Sequence, residues 1–103
     1  MQTTEIVMYW TVGTAPDCEV RITGDEYVSA RHAAVALRTD GEYYARDLGS
    51  TNGTYIERPN RGDPVFGRRD QPRSHTTKVT AWTIIKPGDT LIIGRTRIPR
   101  GKS

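Results

Sequence analysis

The sequence predicts an all-β sandwich or barrel. Apolar residues take every second position at Ile6, Met8, Trp10 and Val12, a period of two that is typical of a half-buried strand. Ten glycines and six prolines supply turn signals that recur about every 8–12 residues. The one stretch that could form a helix, residues 30–37, contains the β-branched Val35 and has a weak helical pattern. Many short strands separated by turns therefore favour packed sheets over helices.

The strands follow one another with a turn after most of them. The strongest pair is 33–37 and 43–47, because Asp40-Gly41 between them is typical of a tight hairpin. Asn52-Gly53 and the run from Lys86 to Asp89 mark two further turns. Strands are expected at residues 6–12, 20–22, 33–37, 43–47, 54–56, 79–85 and 90–93.

Length and charge indicate how the chain is organised. At 103 residues it is expected to form a single domain over residues 1–103, because two smaller units would bury too little apolar surface. The basic residues concentrate in segment 58–78, which holds six Lys or Arg against two Asp in a chain of net charge +3. With three prolines, two glycines and no apolar period, segment 58–78 is predicted to be a long basic loop inserted in the domain.

Several classes of protein are disfavoured by composition. The first residues lack a basic stretch followed by an apolar one, and no window approaches the roughly 20 apolar residues that span a bilayer. The single cysteine, Cys18, cannot form an internal disulfide. These observations predict a cytoplasmic protein with no membrane partner.

Catalysis and metal binding are also not expected. Ser29, His32 and Asp47 could be combined into a triad, but no nucleophile elbow or other activating context accompanies them. Two histidines and one cysteine at scattered positions lack the spacing of zinc ligands. We therefore predict neither an enzyme nor a cofactor or metal site.

Four motifs occur in a fixed order between about Val12 and Arg97. They are Gly13 with Ala-Pro-Asp-Cys after it, Ser29-x-x-His32, the run DLGSTNGT at 47–54, and Pro87-Gly88-Asp89 followed by Ile92-x-Gly94. In order and spacing they resemble the forkhead-associated (FHA) domain. The resemblance implies an FHA-type β-sandwich of about ten or eleven strands, whose loops at one end bind phosphothreonine peptides.

The resemblance also implies roles for individual residues. Ser29 and Thr51 would contact the phosphate, Asn52 would bond the peptide main chain, and His32 with Gly53 would brace the loops. The residue types agree with this on their own, because a phosphate with three acceptor oxygens requires hydroxyl, backbone N–H or guanidinium donors.

Two positions depart from the family pattern. Thr14 stands where family members carry a phosphate-binding arginine, and Ala30 where they often have a polar or basic residue. Thr14 can still donate one hydroxyl hydrogen bond, and Arg31 or Arg21 is expected to supply the missing charge. At this point phosphopeptide binding and a phosphorylation-independent interaction module both remain open.

The partner predicted from the resemblance is a phosphothreonine-containing protein, either a Ser/Thr kinase or its substrate. Nucleic-acid binding through segment 58–78 is disfavoured, because Phe66 is its only aromatic residue and bases stack on aromatic side chains.

The ends of the chain predict an open sheet edge. Only about a dozen residues precede Gly13, and Pro99 removes a backbone donor near the other end, so a closing pair of terminal strands would be short or absent. Because unpaired edges attract other strands, residues 5–12 are expected to pair with a second copy or a partner segment. We therefore predict a weak homodimer through the terminal strands.

Overall fold

The computed structural model describes residues 4–59 and 74–101, and within them it shows an all-β protein with nine strands in two sheets. No helix among the described residues is long and apolar enough to cross a membrane. In chain order the strands are β1 (Ile6–Gly13), β2 (Val20–Arg21), β3 (Ala33–Arg38), β4 (Tyr43–Asp47), β5 (Thr54–Pro59), β6 (Ser74–Val79), β7 (Thr83–Ile85), β8 (Thr90–Ile93) and β9 (Thr96–Pro99).

The first sheet has the order β2-β1-β3-β4-β7, with β1 and β2 parallel and every other pair antiparallel. β3 and β4 form the hairpin that Asp40-Gly41 predicts, and Gly41 adopts a positive φ of 79° in the turn. The stretch 30–37 that offered a weak helical alternative is mostly the central strand β3, and its Ala33, Ala34 and Ala36 are fully buried.

The second sheet has the order β6-β5-β8-β9 and is antiparallel throughout. Its inner face packs against the first sheet, and each fully buried aliphatic side chain there contributes roughly 1.5–3 kcal/mol. The core residues are Val12, Ile22, Val28, Ala33, Ala45 and Ile85 on the side of the first sheet and Ile56, Val79, Leu91 and Ile93 on the second.

Segment 58–78 is not a loop over its whole length, so its predicted bounds are wrong. β5 continues to Pro59 and β6 begins at Ser74, and Pro59 pairs with Ser74 in an antiparallel register. β6 was missed because it has only one buried apolar residue, Val79, and is held by main-chain pairing with β5. Residues 60–73, which join the two strands, lie outside the described residues.

The predicted strand 79–85 is also two strands in the structure. β6 ends at Val79 in the second sheet, and β7 starts at Thr83 in the first, so residues 80–82 carry the chain from one sheet to the other. A continuous β pattern in sequence cannot reveal such a change of sheet, because both halves alternate in the same way.

Arg58 was predicted to lie in the basic loop, but it lies on β5 and pairs with a buried carboxylate. Its guanidinium donates to the buried carboxylate of Asp89 from Nε at 3.1 Å and from Nη2 at 2.9 Å. The same carboxylate accepts the Lys86 N–H at 2.8 Å. The ion pair fastens the end of β5 to the turn between β7 and β8.

Candidate functional site

Three loops meet at the end of the sandwich where β1 finishes and β3 and β5 begin. The loop after β1 lies against the loop before β3, because Thr14 N–H donates to the Ser29 carbonyl at 3.2 Å and Ala15 N–H to the Ala30 carbonyl at 3.0 Å. Gly13 allows this approach, since a Cβ added there would lie 2.1 Å from the Ala30 oxygen.

His32 joins the second loop to the third, which connects β4 and β5. Its imidazole is completely buried, Nδ1 accepts the Ser29 N–H at 3.0 Å, and Nε2 lies 2.7 Å from the Gly53 carbonyl oxygen. Because a backbone N–H can only donate, Nδ1 is the unprotonated nitrogen and Nε2–H donates to Gly53. This is the geometry of a brace between loops, the role that the sequence predicted for His32 and Gly53.

Ser29, Thr51 and Asn52 come together across these two loops. The Ser29 Oγ accepts the Thr51 N–H at 3.1 Å, which leaves the serine hydroxyl proton able to donate outward. Asn52 is exposed, and its side-chain NH₂ donates to the Tyr27 carbonyl at 3.0 Å, which leaves its side-chain oxygen as an acceptor for a ligand. The structure thus brings these three predicted residues to one surface.

Asp47 shapes the loop that carries Thr51 and Asn52. Its carboxylate accepts hydrogen bonds from the Ser50 hydroxyl, from the Thr54 hydroxyl at 2.7 Å, and from the Gly49 and Ser50 N–H groups at 3.0 Å each. Burial acts to raise the pKa of this carboxyl, but the bonds from Ser50 and Thr54 and the two backbone donors outweigh it and hold the pKa below its ordinary value. Asp47 is therefore a structural anion in the described structure.

The two candidate cations have different partners. Arg31 is exposed and forms an ion pair with the Asp17 carboxylate. Arg21 on β2 donates from Nε to the Thr14 carbonyl at 3.2 Å, and no carboxylate among residues 4–59 and 74–101 pairs with it. Arg21 thus lies beside Thr14, the position where the family pattern has its arginine.

A fourth loop, which no motif in the sequence indicates, also reaches this end. The Asp25 carboxylate accepts the Arg95 N–H at 2.8 Å and the Thr96 hydroxyl at 2.7 Å, and Arg95 lies over the Tyr27 ring at 4.4 Å. These partners are about 70 residues apart in sequence, so no local signal could have revealed them. An open depression of about 700 Å³ lies here, lined by residues 23–27, Arg95 and Thr96.

Ser29, His32 and Asp47 do not assemble as a catalytic triad. Both ring nitrogens of His32 are bonded to backbone groups, and the Asp47 carboxylate is occupied by Ser50 and Thr54. The described site instead presents hydroxyl, amide and guanidinium donors on loops that are fastened to one another. A β-sandwich with such a loop surface belongs to the class of binding modules.

The comparison with known families agrees with this class. The profile of the FHA domain family matches residues 10–94, which is most of the chain, and the protein belongs to the FHA domain family. The FHA domain-containing protein FhaB of Mycobacterium tuberculosis H37Rv is 49% identical over 47 residues, covering 46% of this chain and 29% of FhaB. The chain thus spans less than half the length of the curated relatives it matches.

Solved structures show the same fold. The FHA domain of CT664 from Chlamydia trachomatis superposes with a TM-score of 0.65 at 19% identity, over 90% of this chain and 75% of that one. The N-terminal FHA domain of Rad53p from S. cerevisiae, solved with a phosphothreonine peptide, gives 0.62 at 22% identity, over 90% and 61%. About ten or eleven strands were expected from the resemblance, and the described residues contain nine.

Proposed function

We propose that the protein is a reader of Ser/Thr kinase signalling that binds phosphothreonine-containing segments of partner proteins. The observation that carries the proposal is the surface formed by Ser29, Thr51 and Asn52, with Arg21 held beside Thr14. It offers hydroxyl and guanidinium donors in the mixture that a phosphate monoester requires.

Each residue has a defined task in this proposal. The Ser29 and Thr51 hydroxyls donate to phosphate oxygens, and the side-chain oxygen of Asn52 accepts an N–H from the peptide main chain. Arg21 supplies the charge-assisted bonds that Thr14 cannot, while Thr14 adds at most one hydroxyl bond. The depression beside Tyr27 offers room for a peptide side chain that flanks the phosphothreonine.

Arg31 contributes less to phosphate binding in this proposal than the sequence suggested. Its charge is already partly neutralised by Asp17, so it strengthens the local positive potential without a bond of its own to the phosphate. The complex of the Rad53p domain with a phosphothreonine peptide supports phosphate-dependent binding over a phosphorylation-independent interaction.

The proposal is tested by NMR titration of labelled protein with one peptide in threonine, phosphothreonine and phosphoserine forms. We expect the phosphothreonine form alone to shift the amides of Ser29, Thr51 and Asn52, with Arg21 Nε–H following. Equal shifts with the unphosphorylated peptide would replace the proposal with the phosphorylation-independent function. An oligonucleotide in a parallel titration serves as the negative control.

The remaining predictions from sequence are part of the same proposal. The domain acts without catalysis or cofactor, in the cytoplasm, with a Ser/Thr kinase or its substrate as partner. Residues 1–103 are taken as one folding unit. The weak homodimer predicted through the terminal strands is left out of this proposal, and sedimentation equilibrium up to millimolar concentration tests it separately.

A further inference from the structure

One side of the sandwich is open along β1. Among the described residues β2 pairs only with Val12 and Gly13 of β1, so residues 6–11 have a neighbouring strand on one side alone, which is β3. Thr11 N–H points away from β3, because it donates to the Glu19 carboxylate at 2.9 Å. Backbone groups alternate in direction along an antiparallel strand, so the N–H and C=O of Tyr9 also face the open edge.

This edge carries most of the exposed large apolar residues among the described part of the chain. Ile6, Val7, Met8 and Tyr9 are consecutive, and they are 46%, 59%, 50% and 46% exposed. Contiguous apolar surface of this kind marks an interaction site when it lies along an unpaired strand edge.

The edge borders an apolar groove between the two sheets. β1 is next to the edge of the first sheet and β9 is the edge of the second, and a cavity of about 250 Å³ between them is lined by Trp10 and Val12 of β1 and Ile98 of β9. A second cavity of about 360 Å³, which no β1 residue lines, adjoins the first on the side away from the open edge. The cavities share four lining residues: Val35, Tyr43, Leu91 and Ile98. Arg100 closes one end, where its Nε and Nη1 are buried without an acceptor among the residues described.

We propose that this open side binds an extended strand of a partner protein, which pairs with β1 around the edge-facing N–H and C=O of Tyr9. Its alternate side chains, aliphatic and of Val or Leu size, enter the groove between β1 and β9. The pairing is centred on Tyr9, four residues before the end of β1 that reaches the phosphopeptide surface, so both ligands bind at once.

The charges along the edge indicate a partner strand rather than a second copy of β1. Glu5 lies at one end of the edge and Glu19 at the other. In a fully overlapping two-fold antiparallel pairing, Glu5 of each copy would come next to Glu19 of the other, and like charges repel. A strand with Lys or Arg at both of its ends complements both glutamates. The partner segment is therefore apolar at alternate positions and basic at its ends.

The test uses the blocked peptide KVTVTVK, with a control peptide that carries proline at its central valine. We expect the first peptide alone to shift β1 amides in NMR spectra and to slow hydrogen exchange at the Tyr9 amide. Tyr9→Pro removes the N–H that faces the edge and leaves the bonds to β3, so it should weaken binding by about tenfold or more, whereas Tyr9→Ala should have a smaller effect.

Peptides methylated on alternate backbone nitrogens test whether the peptide pairs with β1 through its main chain. This test uses the unaltered protein, so it does not depend on whether Tyr9→Pro folds. Methylation on the side that faces β1 should abolish binding, and methylation on the other side should be tolerated. A phosphothreonine peptide should bind equally well before and after KVTVTVK is added, which separates this proposal from the phosphopeptide site. The proposal is overturned by no binding at millimolar peptide, by insensitivity to methylation, or by a micromolar homodimer that protects the Tyr9 amide without peptide.

Discussion

Arg21 and Arg31 carry the same charge near the same loops, but their partners differ. The Arg31 guanidinium is paired with the Asp17 carboxylate, and Arg21 is held by the uncharged Thr14 carbonyl. A guanidinium that already has a carboxylate gains less from a phosphate, because the phosphate must compete with the existing ion pair. The structure thus separates two arginines between which the sequence could not choose.

Substitution of the two arginines tests this difference. Arg21→Ala should weaken phosphothreonine-peptide binding by about ten- to a hundredfold, the equivalent of a lost charge-assisted hydrogen bond of about 1.5–3 kcal/mol. Arg31→Ala is the matched control, and its effect should stay below about threefold at physiological salt. Isothermal titration calorimetry with one phosphopeptide measures both. A larger loss for Arg31→Ala would assign the phosphate contact to Arg31.

A rescue experiment addresses position 14. In the Arg21→Ala background, Thr14→Arg should restore phosphopeptide affinity by roughly tenfold or more, because it places a guanidinium at the same corner. In the unaltered protein the same substitution should gain less, since Arg21 already provides the charge. Calorimetry of the single and double variants gives the coupling between the two positions. Equal gains in both backgrounds would mean that Arg21 does not contact the phosphate.

Asp47 makes the folded state sensitive to acid. Its pKa is lowered in the folded protein, so its contribution to stability is complete above the unfolded value of about 3.9 and is lost as pH falls through the lower folded value. The free energy of unfolding should therefore differ between wild type and Asp47→Asn at neutral pH, and the difference should shrink below about pH 4. Urea unfolding from pH 3 to 7 measures this. A difference that persists unchanged at pH 3 would contradict the assignment.

At the scale of elements, β5 and β6 form a hairpin. Main-chain pairing over six residue pairs holds β6 to β5, and β6 itself has little apolar alternation. Pro59 faces Ser74 at the end away from the phosphopeptide surface, and Thr54 faces Val79 at the near end. The connection 60–73 therefore joins the hairpin far from Ser29 and Thr51.

Shortening the connection tests its independence from the fold. Replacing residues 60–73 with Asn-Gly should preserve the hairpin, because a two-residue turn suits strands whose last residues are paired. The melting temperature should change by less than roughly 4–8 °C, which corresponds to about 1 kcal/mol for a domain of this size. A Gly/Ser linker of the original length is the control. Loss of cooperative melting or of phosphopeptide binding would show that the connection packs on the domain.

The predicted and missed elements differ in the source of their stability. β1, β3, β4 and β8 could be predicted because alternating apolar residues or a tight turn pair indicate them locally. β6 and β9 could not, since main-chain pairing with β5 and β8 holds them and β9 has no buried residue. The same distinction applies to the site, where the motifs located Ser29, Thr51 and Asn52. The contact of Arg21 with Thr14 and the link from Asp25 to Arg95 depend on folding.

At the scale of the whole molecule, the strands of the first sheet differ in how many neighbours they pair with. β3 and β4 have neighbours on both sides within the first sheet, while β1 has one neighbour over residues 6–11. Opening of a strand edge costs less free energy than opening of a central strand, because fewer hydrogen bonds and less buried surface are lost.

Hydrogen exchange should follow this difference in the free energy of opening between edge and central strands. In the free protein the β3 and β4 amides that are hydrogen-bonded to neighbouring strands should exchange only through global unfolding. The Tyr9 amide should exchange as fast as a loop amide. Exchange monitored by NMR at neutral pH provides the comparison, with the amide of Thr11, bonded to Glu19, as an intermediate case. Slow exchange at Tyr9 in a monomer would show that the edge is covered within the chain.

The buried bridge from Ser29 through His32 to Gly53 has a consequence for the kinetics of recognition. Two loops tied through one imidazole move as a single body, so a ligand meets them already arranged and the ordering cost is met when the domain folds. Association with a phosphorylated segment should then proceed in one step, at a rate set by diffusion and electrostatic steering. Cutting the bridge with His32→Ala should add a slow rearrangement after encounter, visible as a second phase in stopped-flow binding.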